Sequence, residues 1–214
     1  MLGIFDDRDD AARELAEALA HLRGTRPLVL AIPRGAVPMA AAIAGVLDGD
    51  IDVVLVRKLG APGNPELAVG AVDEAGRVHV DPHAASLGAD DDYLAAEAQR
   101  QLATIRARRR AYTPDRAPLP VTGRTVVVVD DGLATGSTMA AALGAVRAGG
   151  PEHLVCAVPV AAPDSLRRVA RLADETVCLA APEEFEAVGQ FYRAFEPVDD
   201  DTVVRLLAGG PAGG

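Results

Sequence analysis

The stretch Thr125–Thr138, TVVVVDDGLATGST, restricts the fold more than any other part of the chain. Four consecutive valines, Val126 to Val129, are too apolar for a sheet face that meets water, so they predict a central strand covered on both sides. Asp130 and Asp131 follow where a parallel strand releases its chain, the carboxyl edge at which open α/β sheets place their ligands. Then come Gly132-Leu133-Ala134-Thr135-Gly136-Ser137-Thr138, small and hydroxyl-rich, leading into the apolar helical stretch Met139 to Val146. Such a loop can turn several backbone N–H groups and its hydroxyls toward one anion, aided by the positive end of the helix dipole. Two acids beside that cradle would repel a phosphate unless something lies between them. A sugar resolves the conflict, because its vicinal hydroxyls donate to the carboxylates while a phosphate on the far carbon enters the N–H nest. The stretch therefore reads as a site for a ribose 5-phosphate. It lacks the Gly-Lys-Ser/Thr ending of a P-loop and the G-x-G-x-x-G of a dinucleotide fingerprint.

A second strand-to-helix turn lies upstream. Leu28 to Ile32 predicts a buried strand, Met39 to Leu47 a helix, and Pro33-Arg34-Gly35-Ala36-Val37-Pro38 connects them. The Arg34 guanidinium can grip two oxygens at once and Gly35 lets a backbone come close, which suits a second anion. Ile51 to Val56 predicts another interior strand ending in Arg57 and Lys58. Those two cations at a strand edge are either a solvated pair or a seat for a pyrophosphate, with Lys58 the preferred contact. Leu59 to Glu66 is rich in Gly and Pro and has neither helical nor strand period, so it is expected to be a mobile flap with Asn64 and Glu66 as its polar side chains. Leu67–Val72 and Arg77–Val80 alternate as a β-hairpin; His79 and His83 beside it share no helical face and do not suggest a metal site.

Residues 6–22 predict an amphipathic first helix with a packing role, and Asp90 to Tyr112 a long helix running from acidic to basic. The basic end, Arg108 to Arg110, is either solvated and matched to the dipole or reaches an anionic substrate. Thr113 to Pro120 is a linker. Leu154–Val160 and Thr176–Ala180 predict two more strands with a helix, Pro163–Leu172, between them. Asp199–Leu207 predicts a terminal helix and Gly209–Gly214 a frayed end. Alternating buried strands and helices give an α/β fold with a doubly wound, mostly parallel sheet. Phe185, Phe191 and Tyr192 sit in a tail holding four of the chain's seven Phe and Tyr residues, where they either stack a planar base or cap an aliphatic core.

At 214 residues the chain is read as one domain, 1–214, with 181–208 as a possible appended element. A net charge of −10 argues against a nucleic-acid surface, and no apolar run is long enough to span a membrane. Met1 to Asp10 is acidic, unlike a signal peptide, and Cys156 and Cys178 fall in apolar runs as small hydrophobes. A reducing cytoplasm is expected.

The valine strand, the Asp pair and the Ala-Thr-Gly-Ser-Thr loop together resemble the signature of the type I phosphoribosyltransferases, supported by the turn at residues 32–38. As a whole the chain is most similar to a bacterial phosphoribosyltransferase group sharing Arg-Lys-Leu-Gly-Ala-Pro-Gly-Asn-Pro-Glu, whose name supplies no substrate. The resemblance implies that fold with a small hood made by the hairpin or the C-terminal element. It implies a magnesium-dependent transfer of ribose 5-phosphate from 5-phosphoribosyl 1-pyrophosphate, as in nucleotide salvage, and a homodimer. Asp130 and Asp131 would hold the ribose 2- and 3-hydroxyls and touch magnesium indirectly; Ala134, Thr135, Gly136, Ser137 and Thr138 would surround the 5-phosphate, and Pro33 to Pro38 would form the pyrophosphate loop. Ala134 stands where 6-oxopurine enzymes usually carry an aspartate, while Phe185 to Tyr192 resembles the tail of the hypoxanthine-guanine enzymes, so the acceptor stays open. The other reading is a sensor that binds the same donor and regulates a partner without transfer.

Overall fold

A computed structural model describes residues 3–209, with the side chain of Glu66 excepted. Residues 210–214, part of the expected frayed end, lie outside the described residues. Five strands form a parallel sheet: β1 (Leu28–Ala31), β2 (Asp50–Val53), β6 (Thr125–Val129), β7 (His153–Val160) and β8 (Glu175–Ala180), in the order β2-β1-β6-β7-β8. β3 (Val56–Ala61), β4 (Asn64–Asp73) and β5 (Val78–Val80) make a separate antiparallel sheet. The doubly wound α/β arrangement expected from the alternation of elements is present.

The valines of β6 are all 0% exposed, which only a strand covered on both faces permits. Val127 and Val129 join a cluster with α1 (Arg8–Ala18), α2 (Ala36–Leu47) and α6 (Asp200–Ala208). Val126 and Val128 point the other way, into a cluster with α4 (Ser137–Arg147) and Val169 of α5 (Pro163–Val169). Each fully buried valine is worth roughly 1.5–3 kcal/mol against exposure, so the strand is anchored from above and below. In register, Leu28 pairs with Val126 and Val126 with Leu154, which sets the carboxyl ends of β1, β6 and β7 side by side.

The run Ile51–Val56 is not one strand. β2 ends at Val53, Val54 N–H makes a last bond to Ala31 O at 3.0 Å, and β3 begins at Val56 in the other sheet. Val54 and Leu55 are buried because they pass between the two sheets, which is why the run stays apolar beyond the strand end. Arg57 and Lys58 consequently lie within β3 and not at the edge of β2. The expected irregular flap at 59–66 is also corrected: β3 and β4 pair across a two-residue turn, Pro62-Gly63, with Gly63 at φ +73°. A Pro-Gly pair suits a tight turn with positive φ at its second residue, and register shifts around Gly60 hide the strand period. Smaller differences are a first helix that ends at Ala18 before a short 3-10 turn, Ala20–Leu22, and an α5 that stops at Val169.

The basic end of α3 (Asp91–Tyr112) is only partly solvated. Arg109 is 8% exposed and donates to Asp52 Oδ1 at 2.7 Å, to Val53 O at 2.9 Å, and through Nε and Nη2 to both oxygens of Glu74 at 2.8 Å. Burial alone would lower its pKa, but the Glu74 hydrogen bonds and the Asp52 and Glu74 charges hold it above its ordinary value. This network ties α3, β2 and the end of β4 together, and leaves the exposed Arg108 free of it.

Candidate active site

β1 and β6 are neighbours, yet the chain leaves β1 toward β2 on one side and β6 toward β7 on the other. That reversal opens a crevice between their carboxyl ends, the place where such sheets bind ligands. The two turns singled out in the sequence, 33–35 and 130–136, flank it, and Ile32 N–H reaches Val129 O at 2.9 Å at their root.

The second turn is fastened from behind. Leu133 N–H donates to Val160 O and Ala162 N–H to Leu133 O, both at 2.9 Å. Ser165 Oγ donates to Ala134 O at 2.7 Å and Arg168 Nη2 to Thr135 O at 2.6 Å. In a trans peptide the N–H points opposite to the carbonyl, so drawing those two carbonyls toward α5 turns the N–H groups of Thr135 and Gly136 away from it. Gly136, at φ +69°, then starts α4, whose first-turn N–H groups lack intrahelical partners. Thr135 Oγ1 and Ser137 Oγ lie 3.2 Å apart; Ala134, Thr135 and Ser137 are exposed and Thr138 is half-buried. The result is a set of N–H and hydroxyl donors at a helix start, the chemistry that suits an anion.

Beside it, Asp131 accepts two hydrogen bonds on Oδ2, from Arg8 Nε at 3.0 Å and Arg8 Nη2 at 2.7 Å. The turn after β1 makes room for this pair: a Cβ on Gly35 would fall 2.1 Å from Asp131 Oδ2 and 3.1 Å from Arg8 Nη2. Arg8 is itself held, donating through Nη1 to Glu196 O at 2.7 Å, with its guanidinium carbon 3.8 Å from the centre of the Phe195 ring. Tyr192 OH donates to Asp131 O at 2.7 Å, and burial, followed by the Asp131 charge, raises its pKa well beyond the ordinary phenol range. Sequence reasoning missed Arg8 by assigning the first helix a packing role alone. The signal was present: Arg8 is the one cation within Asp6-Asp7-Arg8-Asp9-Asp10, at a helix N-terminus where the dipole disfavours positive charge.

Asp130 is half-buried by area, but its carboxyl is closely surrounded by protein atoms. Burial first, then repulsion from Asp131, push its pKa well above the usual carboxylate range, against the smaller effects of the Asp131 N–H bond and Arg8. The folded state therefore holds the Asp130 proton more tightly than the unfolded state, and stability falls as pH rises from about 3.9, the unfolded value. Asp130→Asn should melt at a higher temperature than the wild type at pH 7, with the difference vanishing near pH 4; calorimetry at the two pH values checks this. The same carboxyl contributes, after burial, to pushing the Cys156 thiol up to about 12. Cys156 is buried while Cys178 is only half-buried, its thiol directed to Ala180 O.

Reached by Thr138 at the start of α4 is a cleft of about 460 Å³ whose lining also includes Pro33, Arg57, Lys58, Glu97 and Arg108. The structure thus brings the β1 turn, the two cations of β3 and the start of α4 to one space. Arg57 is steadied by Gln101 at 3.0 Å and Lys58 is exposed. Arg34, joined to Pro33 by a cis peptide, is half-exposed and 3.6 Å from Asp200. The aromatic tail is not brought there. Phe191 is 0% and Tyr192 5% exposed, packed against Phe185 and Phe5 respectively, so neither offers an open ring face; Phe185 is half-buried on Phe191. These rings are spent closing the space between residues 3–6 and the tail, where Phe5 bridges to Tyr192 as a strand pair.

The family model described as "Phosphoribosyl transferase domain" matches residues 4–196. Two curated relatives from strains of Mycobacterium tuberculosis, each named "Putative phosphoribosyl transferase", are 46% identical over 205 residues, covering 95% of this chain and 46% of their own length. The chain thus spans about half the length of the curated relatives it matches. The crystal structure of TT1426 from Thermus thermophilus is 48% identical, with a TM-score of 0.86 over 95% of this chain and 97% of that one.

Proposed function

The chain belongs to the phosphoribosyl transferase family, and from that premise we propose that it binds 5-phosphoribosyl 1-pyrophosphate and transfers its ribose 5-phosphate to a small acceptor, releasing pyrophosphate. One observation above all supports this reading: a carboxylate pair and the N–H groups at the start of α4 belong to one turn at the carboxyl end of β6, beside β1, the two kinds of group that a sugar hydroxyl and its phosphate call for. In the proposal Asp130 and Asp131 accept from the ribose hydroxyls, and residues 134–138 hold the 5-phosphate. Arg34, Arg57 and Lys58 meet the pyrophosphate. Arg34 exchanges its long contact with Asp200 for the closer, bidentate partner that a pyrophosphate offers.

Breaking the C1–pyrophosphate bond makes the ribose cation-like and the leaving group more negative. The arginines and Lys58 stabilise the departing charge, while the acids and the cradle keep the sugar fixed as C1 moves toward the acceptor. Magnesium carried by the donor would supply charge neutralisation to the pyrophosphate, with Asp130 and Asp131 the residues that would hold it. Among the described residues no three His, Cys, Asp or Glu side chains converge on one point. Two edge carboxylates fit an ion shared with substrate phosphates, held by Asp130 and Asp131 through water or ribose hydroxyls. A homodimer and a cytoplasmic location belong to the same proposal; among the described residues no helix is long and apolar enough to cross a membrane.

Two observations favour the second reading, a donor-binding sensor: among the described residues no aromatic ring lines the 460 Å³ cleft, and Ala134 cannot take a proton from an acceptor. Pyrophosphate release from the donor, with magnesium, measured across a panel of bases and amines separates the two. Acceptor-dependent release supports transfer, while tight donor binding without release supports the sensor. In either case Asp130→Asn and Asp131→Asn should each weaken donor binding about tenfold or more, the worth of a hydrogen bond to a charged group, without loss of fold. Undiminished affinity in both would remove the ribose assignment.

A further inference from the structure

We propose that Arg8 is a positioning residue that sets the sugar selectivity of the site: by seizing one oxygen of Asp131 it presents the other to a single ribose hydroxyl, favouring ribose over deoxyribose phosphates. The inference rests on the phosphoribosyl reading above and adds to it a residue outside the signature turn.

Both Arg8 bonds go to Oδ2, leaving Oδ1 as the acceptor for a ligand. A carboxylate gripped this way cannot rotate about its terminal torsion, so the direction of Oδ1 is fixed before the sugar arrives. The grip is itself rigid. Nη1 is tied to Glu196 O, the guanidinium rests on the Phe195 ring, and the Arg8 side chain is 12% exposed. Gly35 leaves the space into which the pair fits. A cation in the first turn of a helix works against the dipole, so helix stability does not explain an arginine here, whereas a charged anchor for Asp131 does. Without the anchor, Asp131 would turn freely or withdraw from the neighbouring Asp130, and a sugar lacking one hydroxyl would lose less by binding.

The test uses calorimetric titration of ribose 5-phosphate, 2-deoxyribose 5-phosphate and 3-deoxyribose 5-phosphate into the wild type, Arg8→Gln, Arg8→Lys and Asp131→Asn. The wild type should favour ribose 5-phosphate over one of the deoxy sugars by about tenfold, one charged hydrogen bond. Arg8→Gln should reduce that preference to about threefold or less, Arg8→Lys should restore part of it, and adding Asp131→Asn to Arg8→Gln should change it no further. If Arg8→Gln and Arg8→Lys weaken all three sugars by a common factor, or leave the preference intact, Arg8 is only structural and the proposal is overturned. If the wild type binds none of the three, the phosphoribosyl reading itself fails, a result distinct from an unchanged ratio.

Discussion

Arg109→Met should lower the free energy of unfolding by about 3–5 kcal/mol, the cost of removing one partner from a buried ion network. Methionine restores much of the volume but none of the charge. Asp52, 1% exposed, would keep a carboxylate whose remaining contacts are Val53 N–H at 2.8 Å, Leu119 N–H at 2.9 Å and a long 3.4 Å approach from Arg116. Glu74 would lose both of its bonds to Arg109. Urea denaturation of the two proteins at pH 7 measures the difference. Asp52→Asn in the same chain should recover part of the loss, since an amide leaves no unpaired charge inside; additive losses would mean the network is not the source.

Gly35→Ala should weaken binding of 5-phosphoribosyl 1-pyrophosphate about 100-fold, near 2.7 kcal/mol, and lower the melting temperature as Arg8 loses its partner. The backbone at Gly35 is right-handed helical, φ −55° and ψ −37°, so alanine meets no conformational objection. The obstacle is spatial: the new methyl would sit 2.1 Å from Asp131 Oδ2, and Asp131 must leave the position in which Arg8 holds it. Calorimetric titration of the donor, alongside thermal melting, reads both effects. Unchanged affinity with an unchanged melting temperature would show that the placement of Asp131 is irrelevant to the donor.

The valine strand, the two turns at the sheet edge and the long third helix were all legible from residue patterns, because each depends on a local period or on turn chemistry. Four features were not, for distinct physical reasons. Val54 and Leu55 are apolar because they are buried in the link from one sheet to the other, and composition does not separate that from a continuing strand. The β3–β4 hairpin hides its period behind register shifts at Gly60. Arg109 looks like the solvated end of a dipole-matched helix until the fold delivers Asp52 and Glu74 to it. Arg8 meets Asp131 across 123 positions of sequence, and only the turn of α1 against the sheet edge creates the pair. The tail aromatics had two open readings, and the burial of Phe191 and Tyr192 places them with the aliphatic core.

Side chains of β6 alternate between two separate clusters: Val127 and Val129 share theirs with α1, which supplies Arg8, and Val126 and Val128 share theirs with α4, whose first turn includes Thr138. Odd and even positions of one strand thus act as independent adjusting screws. Trimming a methyl group from an odd valine would be felt first at the Arg8–Asp131 pair, and from an even one at the start of α4 and the cleft that Thr138 lines. Parity of residue number becomes a way to tune one half of a single binding crevice while the other half keeps its setting.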